Sequence, residues 1–556
     1  MACGTSAMLA FVYTLTTCSG LMAYKIQILI GMFVAFGGIL YGYDTGNISG
    51  ILAIRYFKDQ FSTGYTTIQD GKLQLDISSS QQSLIVSILS AGTFFGALAA
   101  AQIADRLGRR WSLIASSWVF VAGVILQCIA TRLPMFISGR FFAGLGVGLI
   151  STLIPLYQSE TAPKWIRGVI VGSYQLAITI GLLLAAVVDN ASKDRNDSGS
   201  YRIPIGIQFA WAIILMTGMF LLPETPRYLI RVGKTKQAAR ALSKLRRLSV
   251  EHSSIREELE EISQIYAHEV SLGKASYSDC VKGGIAKRLL TGCLLQGLQQ
   301  LTGTYQCYFS SSINFIFYYG TQYFKNSGIT NPFVITMITS AVNVCSTLPG
   351  LYAIDKFGRR PLLLWGAIGM CIAQFVVATL GTTTTGQTSE GVVFATNVVA
   401  QKVSIAFICL YIFFFATSWG PIVWVVTGEI FPFRVRAKAL SITTAVNWLL
   451  NWAIAYSTPY LVNFGPGNLN LQSKIFFIWF GCCFFCIAFV WFFIYETKGL
   501  SLEQVDEMYN EVSVASKSVL WKPSAQENNL VSGDDQAEEF KEDKIQTQGG
   551  INGIKN

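Results

Sequence analysis

Uncharged amides and indoles inside long apolar stretches are the residues of this sequence with the most specific chemistry. An amide side chain offers two N–H donors and one acceptor oxygen, and an indole can cover the apolar face of a ring. Polar groups in such stretches are costly, so by default they mark a binding site or a pathway. Each one singly could also be a helix–helix hydrogen bond or an interfacial anchor. Together they describe a pocket for a neutral polyol, with the candidates Gln175, Gln299, Gln300, Asn314, Asn343, Trp419, Trp424 and Asn447.

One carboxylate, Asp44 in "GGILYGYDTGNISGIL", stands in a run from Ile26 to Ile54 that otherwise carries no charge. A lone Asp inside a membrane helix costs about 2.5–3.5 kcal/mol, so a partner or a function is expected. Arg140 in "FISGRFFAG" is the predicted partner. If the apolar run that contains Arg140 crosses a membrane from the outer side, Arg140 lies about 9 Å below the outer end of that run, at 1.5 Å per residue. Asp44 lies at nearly the same depth in its own run.

The elements that must position these residues are membrane-spanning helices. Of 556 residues, 52% are hydrophobic and 13% are charged, whereas a soluble domain has about a quarter charged residues. Twelve apolar runs have close to the roughly 20 residues that cross a hydrocarbon core. They cover about 26–48, 84–104, 112–130, 136–158, 168–188, 204–222, 289–320, 333–354, 362–381, 402–426, 438–462 and 475–495. The sequence therefore predicts an all-α membrane protein.

The net charge of +10 lies mostly in three segments, 105–110, 227–288 and 355–360. If the spans alternate in direction, these segments share one side of the membrane. The positive-inside rule makes that side the cytosol and places both termini there. This placement argues against nucleic acid as a partner. The two histidines, His252 and His268, lie in the central loop, so no catalytic centre, metal site or cofactor is expected in the spans.

Three motifs recur in the same order along the chain. "DRLGRR" at Asp105 returns as "DKFGRR" at Asp355, "SETAPKWIR" is matched by "GEIFPFRVR", and "PETPR" by "YETKG". This order predicts two six-span halves in parallel orientation, with a site between them near the midplane. The predicted segments are an N-terminal tail 1–25, a bundle 26–222, a cytosolic linker with amphipathic helices 223–288, a bundle 289–495, and a mostly disordered tail 496–556.

These motifs resemble the major facilitator superfamily, and "FAGLGVGLISTLIPLYQSETAPKWIR" resembles its sugar-porter signature. The resemblance runs from about Lys25 to Glu503, and "GYDTG" and "NFIFYYG" look most like fungal hexose transporters. It implies a plasma-membrane carrier, functional as a monomer, that moves a hexose by alternating access. The eight amide and indole candidates match the family's sugar-binding positions. Tyr318 and Tyr319 resemble its outer gate, and Gly420–Pro421 predicts a helix break that serves as a hinge.

In the same family Asp44 corresponds to the proton site of the symporters, with Arg140 as its partner. A static ion pair in a uniporter remains the alternative. A transporter-like sugar sensor is a third possibility, although the tail after Glu503 is only about 50 residues long. Which sugar is bound stays open, because hexoses differ by single hydroxyls that one set of amides can serve.

Charged residues of the repeated motifs form the predicted cytosolic network. Asp105 is expected to pair with Arg109 or Arg110, and Glu160 with Arg167, which would favour one conformer over another. Simple topological anchoring is the alternative. The whole set is Asp105, Arg109, Arg110, Glu160, Arg167, Glu224, Arg227, Asp355, Arg359, Arg360, Glu429, Arg436 and Glu496.

Two segments depart from the family pattern. "TYQCYFSSS" (304–312) interrupts the stretch between Gln300 and Asn314. Nine extra residues make 2.5 helical turns, which would rotate the residues after the insert by about half a turn. Either the insert bulges into the cavity or it is a gene-model error, and residues 1–21 are interpreted as a mis-assigned start. Asn190 and Asn196 begin glycosylation sequons predicted on the outer side.

Overall fold

The computed structural model describes residues 25–522 except 70–71, 163–165, 272–275, 303–331, 388–392, 396, 463–466, 470 and 501. Within these residues, ten helices are long and apolar enough to cross a membrane. The helices Gly283–Leu301 and Phe433–Val462 lie at the predicted seventh and eleventh spans and carry more polar residues. The architecture is therefore the predicted all-α membrane bundle.

The first half consists of helices that follow the predicted spans closely. They are α1 (Lys25–Ala35), α2 (Gly37–Ala53), α3 (Arg55–Phe61), α4 (Ser79–Leu107), α5 (Arg109–Ile129), α6 (Leu133–Thr161), α7 (Arg167–Ser192) and α8 (Gly199–Leu221). A capping box between Ser78 and Gln81 starts α4. An antiparallel hairpin of β1 (Thr66–Gln69) and β2 (Lys72–Leu75) joins α3 to α4, with Thr66 opposite Leu75.

The described part of the linker holds three α-helices, α9 (Pro226–Arg231), α10 (Thr235–Arg246) and α11 (Ser253–Ser271), and a 3-10 helix at Tyr277–Val281. The second half consists of α12 (Gly283–Leu301), α13 (Pro332–Phe357), α14 (Arg359–Thr383), α15 (Val398–Thr417), α16 (Trp419–Glu429), α17 (Phe433–Val462) and α18 (Ile475–Phe493). A second hairpin, β3 (Thr385–Gln387) with β4 (Val393–Ala395), connects α14 to α15. The last α-helix described is α19 (Leu502–Glu511).

The two halves meet along a small number of helix pairs. Across the interface α4 contacts α17, and α7 contacts α13 and α16. Within the first half, α2 packs on α7 and α4 packs on α6. Glycine permits the closest approaches within the first half. A Cβ on Gly42 would stand 2.0 Å from the Ile178 carbonyl oxygen, and one on Gly148 would stand 2.1 Å from that of Thr93. The helix backbones therefore touch.

The tenth span is broken next to Pro421, as the "GP" pair predicts. α15 ends at Thr417 and α16 begins at Trp419, with Ser418 between them at φ −131° and ψ −83°. A proline ring clashes with the carbonyl four residues earlier, and for Pro421 that residue is Thr417. The break therefore lies before the "GP" pair, at Ser418.

Residues 502–520 lie within the segment predicted to be mostly disordered, and the structure folds this part of it into two short helices. Leu502, Val505 and Met508 are buried along one face of α19, and a 3-10 helix follows at Ala515–Leu520. Arg288 of α12 holds this segment through an ion pair with Asp506. Its guanidinium also lies 4.6 Å from the centre of the Tyr509 ring. Because Leu502, Val505 and Met508 are spaced three residues apart, their pattern in the sequence could have predicted this helix.

Candidate functional site

Asn447 of α17 is the centre of a buried cluster of amides between α12 and α17. Its Nδ2 donates to Gln296 Oε1 at 2.7 Å and to Gln299 Oε1 at 3.1 Å. Its Oδ1 accepts from Gln300 Nε2 at 2.9 Å. Asn451, one turn further along α17, donates to Gln300 Oε1 at 3.0 Å. The structure thus brings three predicted residues together and adds two, Gln296 and Asn451, at i±4 spacing.

Gln175 and Gln299 lie at the break in the tenth span. Gln299 Nε2 donates to the carbonyl oxygens of Trp419 and Gly420, at 3.0 and 3.1 Å. Gln175 of α7 reaches the same place from the first half, because a Cβ on Gly420 would stand 3.3 Å from its Cγ. Amides from both halves therefore surround the break.

The indoles differ from one another in their hydrogen bonding. Trp419 donates its N–H to the Leu363 carbonyl at 2.9 Å, so it anchors α16 to α14. Trp424 is 2% exposed and its Nε1 has no hydrogen-bond partner among the described residues. Trp448, which the sequence analysis did not single out, donates to Ser151 of α6 at 3.1 Å and meets the Tyr41 ring edge-on at 5.1 Å. Of these three indoles, Trp424 is therefore the one whose N–H is available to a ligand.

Three predicted site residues, Asn314, Tyr318 and Tyr319, lie outside the described residues, as does the insert 304–312. Asn343 is buried on α13, the helix that packs against α7.

Asp44 and Arg140 are both buried and come together inside the first half. Asp44 Oδ1 lies 3.9 Å from Arg140 Nη1 and accepts a hydrogen bond from Gln208 Nε2 at 3.1 Å. Arg140 Nε donates to the Ile85 carbonyl at 2.9 Å. Asp44 Oδ2 and Arg140 Nη2 have no partner in the described part of the chain. The distance between the two charged groups is long, and each has an atom without a hydrogen bond among the described residues. Protonation of Asp44 would therefore not disrupt a tight bidentate contact.

A second buried acid, Asp189, lies in the last turn of α7. The predicted span stopped at residue 188, whereas the helix continues to Ser192. Asp189 is 1% exposed, and its Oδ1 has no hydrogen-bond partner among the described residues. It packs on Gly50 of α2, where a Cβ would stand 2.1 Å from Asp189 Oδ2.

Replacing Asp189 by asparagine is expected to raise the free energy of unfolding by about 1 kcal/mol. The reason is that a buried acid with an unsatisfied oxygen, and with no cation beside it in the described part of the chain, destabilises the fold. Thermal unfolding of the detergent-purified protein measures this. A lower midpoint temperature would show that the carboxyl group makes a contact on which the fold depends.

The repeated motifs lie at one end of the bundle, here called the basic end. Equivalent ion pairs and hydrogen bonds form there in both halves. Arg109 Nη2 donates to Glu160 at 2.9 Å, and Arg359 Nη2 donates to Glu429 at 3.0 Å. In each half a second glutamate accepts the first backbone N–H groups of the next helix. The distances are 3.0 Å for Arg109 N to Glu224 and 3.0 Å for Arg359 N to Glu496. A carboxylate at a helix N-terminus is stabilising.

Glycine is required where these carboxylates approach. Gly108 and Gly358 have φ of +87° and +94°, and a Cβ would stand 2.3 Å from Glu224 Oε2 and 2.5 Å from Glu496 Oε2. Burial raises the pKa of the Glu224 carboxyl, and the hydrogen bond from the Thr225 N–H opposes that shift. The G in "DRLGRR" and "DKFGRR" is thus explained by backbone geometry and close contact.

The ionic partners at the basic end differ from the predicted ones. Asp105 pairs with Arg231 at 2.5 Å and with Lys438 at 3.1 Å rather than with Arg109 or Arg110. Glu160 pairs with Arg109 rather than with Arg167. The prediction used partners within one motif, whereas folding brings in α9 and α17.

The other basic residues mostly satisfy helix carbonyls. Arg110 and Arg360 donate to the carbonyl oxygens of Phe220 and Trp491, the ends of α8 and α18. Arg436 donates to Phe431 at 3.0 Å, while Arg167 begins α7 and Arg227 lies on α9. Asp355 pairs with Arg359 at 3.1 Å.

Contacts between the halves close the basic end. Lys438 of the second half bonds Asp105 of the first, and Tyr277 of the linker donates to the Leu98 carbonyl of the first half at 3.2 Å. The side chain of Asp355 lies against Gly168, where a Cβ would stand 2.4 Å from its Oδ1. The sequons lie at the opposite end, with Asn190 in the last turns of α7 and Asn196 in an exposed loop.

Two bundles of apolar helices, closed at one end and enclosing a buried amide cluster at their interface, define a membrane transporter of the major facilitator fold. The profile of the family described as "Sugar (and other) transporter" matches residues 30–509. The chain belongs to this family of transporters and is not an enzyme, which confirms the resemblance carried by the motifs.

The relatives and solved structures agree with this assignment. The chain is 67% identical over 496 residues (89% of the chain and 90% of the relative) to the major facilitator-type transporter ecdD of Aspergillus rugulosus. It is 50% identical over 504 residues (89% and 81%) to the probable glucose transporter rco-3 of Neurospora crassa. It is 42% identical over 501 residues (89% and 62%) to the high glucose sensor RGT2 of Saccharomyces cerevisiae.

Among solved structures, the proton:xylose symporter XylE bound to 6-bromo-6-deoxy-D-glucose matches with a TM-score of 0.72 at 26% identity, covering 87% of this chain and 99% of that one. Its inward-open form, from E. coli, matches with a TM-score of 0.61 at 25% identity over the same shares of the two chains. The conformation described here is therefore more similar to the sugar-bound form.

Proposed function

We propose that this protein carries a neutral monosaccharide, glucose or another hexose, into the cell by alternating access between its two halves. The observation that carries the proposal is the buried, uncharged amide cluster around Asn447 at the interface of the halves. Amides can both donate to and accept from sugar hydroxyls, and no fixed charge in the cluster selects an ion. The name of rco-3, a probable glucose transporter, supports a hexose as substrate.

Orientation is inferred from charge. The basic end would face the cytosol by the positive-inside rule, with both termini there and the protein in the plasma membrane. Closure of the basic end by Lys438 and Asp105 then corresponds to a state shut towards the cytosol. Asn196, in an exposed loop at the other end, would be available for glycosylation.

Proton coupling is proposed to act through Asp44. An ionised Asp44 holds Arg140 and thereby ties α2 to α6, while a protonated Asp44 releases it. Release would let the first half close over bound sugar and open inward, so that proton entry drives sugar accumulation. XylE, a named proton:xylose symporter, is a structural relative. A uniporter with a static pair is the alternative.

A transporter-like sensor is the second candidate, because RGT2 is named a high glucose sensor and is 42% identical. A sensor and a carrier can bind the same sugar through the same amides. They differ in whether the sugar crosses the membrane, so a flux measurement separates them.

The decisive experiment expresses the chain in a yeast that lacks its own hexose carriers and follows labelled glucose uptake. We expect uptake above the empty-vector cells, concentration above the external level, and loss of that concentration on adding an uncoupler. Uptake that does not change when the uncoupler is added would favour the uniporter. An absence of uptake, combined with a glucose-dependent transcriptional response, would favour the sensor. A parallel chain without residues 304–312 tests whether the insert is part of the functional protein.

A further inference from the structure

The amide cluster is one continuous hydrogen-bond chain that crosses from the first half to the second. It starts at Ser90 of α4, whose hydroxyl donates to Asn451 Oδ1 at 2.6 Å. It then alternates between α17 and α12, through Asn451, Gln300 and Asn447 to Gln296. This alternation is possible because residues four apart lie on one face of each helix.

The far end of the chain is fixed by the backbone. Gln296 Nε2 donates to Thr427 Oγ1 at 3.3 Å, and the Thr427 hydroxyl donates to the Val423 carbonyl at 2.8 Å. A carbonyl oxygen can only accept. Every donor therefore points the same way along the chain, and Asn451 Oδ1 is the acceptor left for a group outside the second half. Ser90 fills that place.

We propose that Ser90 is a positioning residue for sugar recognition: its hydroxyl supplies the donor that Asn451 Oδ1 needs and so holds the Asn451 amide, at the open end of the chain, in one orientation towards the ligand. The amide oxygen and nitrogen of Asn or Gln are nearly equal in shape, so only their neighbours determine their orientation. Without the Ser90 donor, Asn451 Oδ1 is left unpaired and the Asn451 amide is held only by its donor bond to Gln300, whereas Gln300 and Asn447 stay fixed from the Thr427 end. Linked hydrogen bonds of this kind reinforce one another.

Ser90 also makes the chain sensitive to movement of the halves. It is the member of the chain that belongs to the first half, on a helix that packs along α17. When the halves separate, Asn451 Oδ1 loses its donor unless a sugar hydroxyl replaces it. The site would then need a hydroxyl donor when open and be satisfied internally when closed.

The test, which rests on the proposed sugar transport, compares competition of glucose and single-deoxy glucoses against labelled glucose uptake in the carrier-free yeast. The quantity measured is the ratio of the inhibition constants of glucose and of the single-deoxy glucose that competes most weakly in the wild type. For Ser90→Ala we expect this ratio to fall about tenfold, the scale of one unpaired buried group. Ser90→Cys, with a weak S–H donor, should fall in between, and Ser90→Thr should keep the wild-type ratio. Unchanged ratios in Ser90→Ala would overturn the proposal.

Ser116→Ala is the matched control, because Ser116 is buried and donates to the Ser112 carbonyl of its own helix. A separate double-mutant cycle of Ser90→Ala with Asn451→Ala reads the midpoint temperature of the purified full-length protein without sugar. Non-additive effects support the link, and additive effects refute it whatever the transport result. A wild-type chain that takes up no sugar would instead refute the proposed function.

Discussion

Asn447→Leu is expected to lower kcat/KM for sugar uptake by about 10²–10³-fold. The change keeps the branched shape of the asparagine side chain and removes the partner of three other amides, Gln296, Gln299 and Gln300. Leaving a buried polar group unpaired costs about 1–3 kcal/mol, and each 1.4 kcal/mol is a factor of about ten. Initial uptake rates over a range of glucose concentrations, corrected for protein at the cell surface, measure the effect.

Gln127→Leu is the matched control for this prediction. Gln127 is an amide buried to the same degree on α5, against Gly139 of α6, and it lies away from the interface of the halves. Its replacement should leave kcat/KM within about twofold, since apolar substitution of a poorly bonded amide is nearly neutral. Equal uptake by wild type and Asn447→Leu at equal surface amounts would show that the cluster does not bind the transported molecule.

The sequence predicts those features that depend on local pattern. Span length depends on the thickness of the hydrocarbon core, so the apolar runs gave helices within a few residues of those observed, apart from the seventh run, which extends beyond the described residues at 303. The rise of 1.5 Å per residue was enough to bring Asp44 and Arg140 to one depth. Gln296 and Asn451 could have been found as well, because each stands four residues from a predicted amide on the same helix face.

Other features depend on tertiary contacts that spacing does not encode. Ser90 is one of many serines in apolar helices, and nothing in its neighbours marks it as the donor to Asn451. The partners of Asp105 come from α9 and α17, far away in sequence. Trp419 and Trp424 look alike in the motif "TSWGPIVW", and only the Leu363 carbonyl that bonds Trp419 separates them. Asp189 was missed from the sequence because the predicted apolar run ends at residue 188, just before this acid, whereas the helix continues to Ser192.

Replacing Asp44 by asparagine is expected to abolish sugar accumulation while downhill uptake continues. The amide cannot carry the proton, and it leaves Arg140 without the negative charge 3.9 Å away. Removing one partner of a buried ion pair costs about 3–5 kcal/mol, so the amount of folded protein must be measured alongside transport. In the wild type, acidifying the medium should raise accumulation, because protonation of Asp44 from outside starts each cycle. In Asp44→Asn the internal sugar should stop at the external level at every pH.

Asp189→Asn provides the control, since it replaces a second buried acid that packs on α2 yet leaves Asp44 and Arg140 in place. This variant should accumulate sugar as the wild type does and respond to the uncoupler in the same way. Loss of accumulation in both variants would point to a general effect of replacing buried acids in the first half. An Asp44→Asn carrier that still concentrates sugar, and loses it with the uncoupler, would place the coupling proton on another group.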